Sequence, residues 1–398
     1  MSNSVTQNRF TDKFLVLRAV LCLIVFGTHI PKQLWDIKVG YATFNLSFLF
    51  SGHLAVVIFM ILSGYLIGKQ FTNHKYELNK SGLQKYYKSR INRIVPIYYI
   101  SIVIGLVFAT SSFWSNPNWF IKLLQSFLFI YDIDSTPYFV NGFWSLSVEM
   151  QFYLFAPFIF WVLSSLFNLV QTKWNLIKSK YQEFHLVTST QINTRSSSII
   201  TFVTNNSTLI TFFCTTVIIF VFDFLNRRFL VQYINTPQLR HFLLHISYLI
   251  FGMNLNFIRE PILQFFNKLD NSRRIFAFWA LFGFIIIALV DQNYSSIRSN
   301  RDAFDGFIFV YFLSIMSGMM IMLAETINVQ KNNFTQANPG FLGWLEKLGL
   351  ISYPFYLIHL VVIKSLPIQT PFFIPVSFGI SVLIAYFLAK ISRKITFL

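Results

Sequence analysis

Apolar residues along this chain form ten long runs separated by polar segments. The runs fall at residues 14–30, 46–68, 94–110, 143–169, 209–225, 241–258, 275–290, 304–324, 350–366 and 372–389. A helix needs about 20 apolar residues to cross the hydrocarbon core of a bilayer. The pattern therefore predicts an all-α polytopic membrane protein with about ten transmembrane helices around a central cavity. A further run at 119–131 is too short to span, and we expect it to lie in the interface or to re-enter.

Composition and charge agree with this class. Hydrophobic residues make up 55% of the 398 residues and charged residues only 12%, yet the net charge is +17. In a membrane protein such an excess of lysine and arginine marks cytoplasmic loops that face anionic lipid, so no nucleic acid partner is expected. Most lysines and arginines fall on the inner side if the N-terminus is cytoplasmic. Both termini are therefore predicted to be cytoplasmic, with the lipid bilayer as a partner.

The same pattern divides the chain into three parts. A cytoplasmic N-terminal segment is expected at 1–13, a membrane domain at 14–390 and a cytoplasmic tail at 391–398. Within the membrane domain, a polar stretch at about 171–207 is rich in Ser, Thr and Asn and is expected to form an extended cytoplasmic loop. Only two cysteines occur, both in apolar runs, so neither a disulfide framework nor a metal site is predicted.

The first apolar run carries one arginine, Arg18, and one histidine, His29. They are eleven residues apart, which places them on one face of a helix and separates them by roughly 16 Å along its axis. Charged and ionisable groups in a membrane helix are costly unless they face a cavity. The alternative is that Arg18 snorkels at the boundary and His29 lies in the interface.

Small and basic residues surround the inner end of the second run. Ser63 and Gly64 permit close approach of either a ligand or another helix backbone, and a helix contact is the commoner reason for such a pair. Arg90 and Arg93 stand at the mouth of the third run, three residues apart, so they share a face if the segment is helical. Two guanidinium groups suit bidentate phosphate binding, although positive-inside signalling also favours cations here.

Two later runs contain further polar side chains. Ser145 and Glu149 share a face of the fourth run, and an acid inside the membrane is a functional candidate, with a structural ion pair as the alternative. In the ninth run, Ser352, Tyr356 and His359 follow helical spacing and form a polar stripe. A single histidine such as His359 is more often structural than catalytic, so a cavity wall or substrate-positioning role is expected.

Five motifs in this order resemble those of the integral membrane acyltransferase type 3 family, and the resemblance covers nearly the whole chain. They are Arg18 followed after ten residues by His29, Phe-x-x-x-Ser-Gly-Tyr at 59–65, Arg90-x-x-Arg93, Trp-Ser-Leu-Ser-Val-Glu at 144–149, and Ser-Tyr-x-x-Tyr-Leu-x-His at 352–359. The chain resembles the stand-alone membrane domain of that family. One departure is Leu15-Val16, where the family usually has Asp-Gly.

The resemblance implies transfer of an acyl group, usually acetyl from cytoplasmic acetyl-CoA as co-substrate, to a hydroxyl of a surface or lipid-linked glycan in the bacterial inner membrane. Lipopolysaccharide O-antigen or another exopolysaccharide would be such an acceptor. Carried onto this chain, the motifs assign catalysis to His29 and Glu149. They assign donor binding to Arg18, Ser63, Gly64, Arg90 and Arg93. They assign substrate positioning to Trp144, Ser145, Ser147, Tyr356 and His359.

Two chemical questions stay open from the sequence. His29 either acts as general base on the acceptor hydroxyl, with Glu149 orienting it, or is itself transiently acylated. The alternative from another functional class is a glycan or lipid transporter, in which His29, Glu149 and Arg18 would form a proton or substrate pathway. A transporter would be expected to show repeat symmetry, which the sequence lacks.

Overall fold

The structure is a computed structural model of the chain. It describes residues 12–39, 42–108, 111–130, 143–187, 207–226, 237–296, 303–327, 340–370 and 372–392. Most of the N-terminal segment, the second half of the polar stretch and the end of the C-terminal tail lie outside these ranges.

The described chain is almost entirely helical. Its helices are α1 Lys13–His29, α2 Gly52–Thr72, α3 Lys80–Val107, α4 Ser111–Trp114, α5 Trp119–Phe127, α6 Trp144–Val187, α7 Ser207–Leu225, α8 Pro237–Asn254, α9 Arg259–Asn267, α10 Asn271–Ser296, α11 Ala303–Thr326, α12 Gly340–Leu350, α13 Ser352–Ser365 and α14 Phe373–Ser392. The exception to the all-α prediction is a short antiparallel hairpin between α1 and α2, formed by β1 Asp36–Val39 and β2 Ala42–Asn45.

Each of the ten predicted runs contains a helix, but fewer helices meet the length of a membrane span. Within the described ranges, α2, α3, α6, α7 and α14 are long and apolar enough to cross a membrane. The pair α12 and α13, bent by 79° at Ile351, makes a sixth if it counts as one broken span. Helix α1, with 17 residues, is shorter than a straight span needs. The protein is an integral membrane protein, and the count of ten stays a prediction.

Helix α2 is at the centre of the packing, because glycines let a neighbouring backbone touch it. A side chain at Gly64 would collide with the backbone carbonyl of Leu249 on α8, and one at Gly252 of α8 would collide with the carbonyl of Ile61. Tyr65 is fully buried beside this contact. Close approach of two backbones at small residues is a principal source of stability between membrane helices. Gly64, predicted to bind the donor, is therefore a packing residue in this structure.

Helix α3 begins fourteen residues before the predicted run. The side chain of Asn79 accepts a hydrogen bond of 2.8 Å from the backbone amide of Gly82, which is an N-cap. The lysine-rich segment after it contains good helix formers and is helical. Arg90 and Arg93 therefore lie well inside a helix, and not at its mouth as predicted.

Helix α6 is also longer than predicted. Residues 171–187 were expected to begin an extended loop, but the helix continues without a break to Val187. They contain no glycine or proline and alternate charged with apolar side chains. Their helix propensity, and not their polarity, therefore decides their structure. The 44 residues span about 66 Å, roughly twice the hydrocarbon core. The remainder of the expected loop lies outside the described residues.

The contact between α2 and α8 gives a first prediction. Gly64→Ala places a methyl group against the Leu249 carbonyl, so the two helices must separate. The free energy of unfolding of the purified protein should therefore fall by about 1–3 kcal/mol, with a lower melting temperature. Gly283→Ala on α10 is the matched control, because nothing lies within 4 Å of a methyl group there. Thermal unfolding of the two variants in the same detergent measures the difference. Equal melting temperatures would contradict the contact.

Candidate active site

A cavity lies among α1, α2, α3, α6 and α13, with an empty volume of about 760 Å³ counting the space at its mouth. Its apolar wall is formed by Val56, Phe59, Met60, Ile94 and Leu146. Its polar wall is formed by Arg18, Ser63, Arg93, Ser145, Glu149, Tyr153, Ser352, Tyr353 and Tyr356. We call it the Arg18 cavity. The fold therefore brings together in one space predicted site residues from five separate helices.

Glu149 is held in place by two hydroxyl groups. Ser63 of α2 donates a hydrogen bond of 2.6 Å to Glu149 Oε1, and Tyr153 donates to the same oxygen. Tyr153 follows Glu149 by four residues on α6, so the two side chains meet on one helix face. The second carboxylate oxygen receives no hydrogen bond from any described residue. Glu149 thus has one fixed oxygen and one available to a ligand.

Two arginines share the cavity with this carboxylate. Arg18 comes from α1 and Arg93 from α3. Neither guanidinium has a hydrogen bond or an ion pair with any other residue that the structure describes. A guanidinium offers five N–H donors, and in a low-dielectric site these favour an oxyanion. The cavity can therefore bind a phosphate-bearing ligand at its arginine wall.

Arg90 does not join this pair. Its side chain is buried, donates to Gln70 and lies 5.5 Å above the centres of both the Tyr86 and the Tyr153 rings. Residues three apart on a helix point about 60° away from each other, so one can face the cavity while the other faces the bundle. The prediction that Arg90 binds the donor alongside Arg93 is therefore not matched by the structure, in which Arg90 supports Tyr153.

His29 lies at the other end of α1 and is exposed. Its ring is 5.3 Å from the ring of His359 on α13, centre to centre. His359 is buried, its Nδ1 contacts the Phe355 carbonyl, and its Nε2 has no partner among the described residues. The predicted orienting contact from Glu149 is absent within the described residues, because Glu149 lies in the cavity with Arg18 and not at the depth of His29.

A line of polar side chains connects the cavity with His29. The hydroxyl groups of Ser145 and Tyr356, both in the cavity wall, are 2.6 Å apart. The Tyr356 ring is 5.8 Å from His359, which in turn neighbours His29. Ser145, Tyr356 and His359 thus lie between the cavity and His29, and their role in positioning a substrate stays a prediction.

Two other predicted residues lie outside the cavity wall. The ring of Trp144 packs 4.8 Å from that of His245 on α8. Ser147 is buried and donates to the carbonyl of Phe143 in its own helix. Both share α6 with Glu149 but point to other faces, because successive residues are rotated by about 100°.

Two further features of the structure are not among the predicted site residues. Tyr153 was detectable, since it stands four residues after Glu149. The second is Glu325 at the end of α11, which accepts hydrogen bonds from Tyr65 and Arg259 and one of 2.6 Å from Lys69. The hydrogen bonds from Arg259 to the Glu325 carboxylate raise the pKa of the Arg259 guanidinium. Only the fold shows these partners, since they come from distant parts of the chain.

The sequence of this chain is similar to those of known acyltransferases. The model of an acyltransferase domain, that of the type 3 acyltransferases, matches residues 13–390. Peptidoglycan O-acetyltransferase OatA of Listeria monocytogenes is 30% identical over 174 residues, covering 40% of this chain and 24% of that protein. O-acetyltransferase OatA of Staphylococcus aureus is 26% identical over 147 residues, covering 32% of this chain and 24% of the relative. No solved structure matches the chain.

The chain thus aligns with about a quarter of the length of these curated relatives. The family match, by contrast, extends from the first residue of α1 to near the end of α14. It includes every residue of the Arg18 cavity and the His29–His359 pair. The chain therefore belongs to the acyltransferase type 3 family.

Proposed function

We propose that this protein is a membrane O-acyltransferase that moves an acetyl group from cytoplasmic acetyl-CoA to a hydroxyl of a surface or lipid-linked glycan. The observation that carries the proposal is the Arg18 cavity. In it, two arginines that have no hydrogen bond or ion pair with another described residue share a space with one carboxylate, and the exposed His29 lies at the far end of the helix that carries Arg18. The names of the two OatA relatives, both O-acetyltransferases, support a glycan acceptor.

The arginine wall is suited to the donor. Arg93 and Arg18 would bind the coenzyme phosphates by charge-assisted hydrogen bonds. The pantetheine arm would then extend along α1 past Ser145 and Tyr356, over the roughly 16 Å that separate the levels of Arg18 and His29. In this arrangement Glu149 offsets part of the charge of the two arginines while the cavity is empty, and it fixes the positions of Ser63 and Tyr153.

The acyl transfer needs one base near the acceptor. His29 would take the proton from the acceptor hydroxyl, and the resulting oxygen nucleophile would attack the thioester carbonyl. The tetrahedral intermediate then collapses, the C–S bond breaks as the C–O bond stays, and the imidazolium returns its proton to the coenzyme thiolate. The neighbouring ring of His359, rather than Glu149, would hold the His29 imidazole in place.

Orientation in the membrane completes the proposal. Both termini would be cytoplasmic, so Arg93 would meet the donor from inside and His29 the acceptor from outside, in the bacterial inner membrane. Lipopolysaccharide O-antigen or another exopolysaccharide would supply the hydroxyl. Membership of an acyltransferase family favours this enzyme over the transporter alternative.

The role of His29 is directly testable. His29→Ala should lower acetyl transfer by about 10²–10⁴-fold because the general base is lost. Thr28→Ala, at the neighbouring exposed position of α1, is the control and should retain activity. Radioactive acetyl-CoA and a glycan acceptor provide the assay, with protein amount determined in parallel. Activity of His29→Ala near that of the control would refute the assignment. Stable protein-bound label without acceptor would favour an acyl-histidine instead of direct transfer.

The two arginines of α3 are expected to differ in their effect on donor binding. Arg93→Ala should weaken acetyl-CoA binding by about 10–100-fold, the loss of a hydrogen-bonded charge. Arg93→Lys should restore only part of it, since an ammonium lacks the planar fork. Arg90→Ala should instead lower the melting temperature, because Arg90 lies in the bundle on two tyrosine rings. Titration calorimetry on purified protein measures the affinities, and an unchanged affinity in Arg93→Ala would exclude the arginine wall as the donor site.

The orientation of the protein in the membrane can be tested without an activity assay. A Lys85→Cys variant, with Cys22 and Cys214 replaced by serine, places a single thiol at an exposed position of α3. An impermeant maleimide should leave it unlabelled in intact cells and label it in inverted membrane vesicles. Labelling in intact cells would invert the topology and separate the arginines from the coenzyme pool.

A further inference from the structure

A second space lies on the far side of α1 from the Arg18 cavity. It is a groove with an empty volume of about 920 Å³ among α1, α10, α11 and α12. Its wall is apolar apart from one side chain, that of Lys13; Val16 and Val20 line it from α1, and Phe278, Trp279 and Phe282 from α10. We call it the Lys13 groove. None of its lining residues belongs to the Arg18 cavity.

The groove has one polar end. Lys13 is the first residue of α1, and its ammonium donates one hydrogen bond, of 2.8 Å, to the backbone carbonyl of Glu325. An ammonium has three donors, so two are not used by this bond. Burial lowers the pKa of the Lys13 ammonium, and the nearby Lys69 and Arg274 lower it further, whereas the carboxylates of Glu325 and Asp12 raise it. The charge of Lys13 is therefore only partly compensated by the protein.

Arg274 adds a second cation at this end. Its guanidinium donates to the carbonyl of Thr326, directly before Ile327 of the groove wall, and to the side chain of Asn267. Its Nε is buried and has no partner among the residues the structure describes. The carboxylate of Glu325 is already engaged by Tyr65, Lys69 and Arg259. Asp12 and Glu346 also lie at this end, where Asp12 caps the first amides of α1 and Glu346 accepts from the Asp12 amide. Neither Lys13 nor Arg274 forms a salt bridge with a carboxylate of the described residues.

We infer that the Lys13 groove is a binding site for an anionic phospholipid, with the phosphate at Lys13 and Arg274 and an acyl chain along the apolar wall. From Lys13 to Val20 the groove extends about 10 Å along α1, comparable with the depth of one leaflet's hydrocarbon, about 15 Å. With the topology proposed above, this leaflet is the cytoplasmic one, where anionic lipids attract juxtamembrane cations. The inference does not depend on the acyl transfer reaction.

The shape and charge of the groove favour this occupant over a neutral lipid. Any lipid can fill an apolar surface in a bilayer, and a zwitterionic one also carries a phosphate, but its own ammonium offsets that charge. A headgroup with net negative charge is therefore favoured beside the two cations Lys13 and Arg274. A specific site should therefore distinguish headgroups of equal chain length. Trp279 in the groove wall, 56% exposed, provides a local probe of what is bound there.

The experiment measures quenching of Trp279 fluorescence by lipids brominated on the acyl chain. The full-length protein is placed in vesicles of phosphatidylcholine that contain either brominated phosphatidylglycerol or brominated phosphatidylcholine at the same mole fraction. The Trp279→Phe variant, measured in parallel, isolates the Trp279 signal from the other seven of the eight tryptophans. We expect the Trp279 signal to report a preference for the anionic lipid of about fivefold for each basic residue.

Lys13→Gln and Arg274→Gln should each lower this preference, and the double variant should remove it. Glutamine at position 13 still donates to the Glu325 carbonyl, so the helix end stays tied. The double variant Lys80→Gln and Lys88→Gln, with the same change of net charge at exposed positions of α3, is the control and should keep the preference. Equal quenching by the two lipids in the unaltered protein would overturn the site, as would equal loss of preference in the control.

Discussion

Backbone contact between α2 and α8 sets the positions of the α2 side chains that face the Arg18 cavity. Gly64 and Gly252 allow the two helices to touch, and Ser63, one residue before Gly64, then faces α6 and donates to Glu149. Helix packing and site geometry are therefore coupled through two neighbouring residues. A shift of α2 by a fraction of an ångström would change the Ser63–Glu149 hydrogen bond directly. The two backbones are in contact, and no flexible side chain between them can adjust to the shift.

The sequence predicts the helices and much of the site, because both depend on local periodicity. Arg18 and His29 lie on one helix, Ser145 and Glu149 on another, and their spacing alone places each pair on a common face. What periodicity cannot give is the rotation of each helix against its neighbours. That rotation directs Arg93 into the cavity and Arg90 onto two tyrosine rings, and it makes Gly64 a packing residue.

Polarity was a poor guide to where helices end. The third apolar run begins only at residue 94 and the stretch from 171 is predicted to be a loop, yet residues 80–93 and 171–187 are helical. Lysine and glutamine are good helix formers, and Asn79 supplies a cap. In a membrane protein, the apolar run shows where a helix crosses the bilayer, whereas propensity and capping show where the helix itself begins. Neither the apolar runs nor helix propensity and capping could predict the partners of Glu325, because these depend on tertiary packing alone.

In the proposed reaction one substrate enters from each side of an energised membrane, and such an enzyme must not leak protons between turnovers. The Arg18 cavity has two properties that oppose such a leak. Val56, Phe59, Met60 and Leu146 give the cavity an apolar wall that disfavours a continuous file of water, and Arg18 and Arg93 together carry more positive charge than Glu149 offsets, which opposes the entry of a cation. The guanidinium groups would thus serve as an electrostatic barrier when the cavity is empty and as ligands when the donor arrives, so that catalysis and insulation of the membrane rest on the same two side chains.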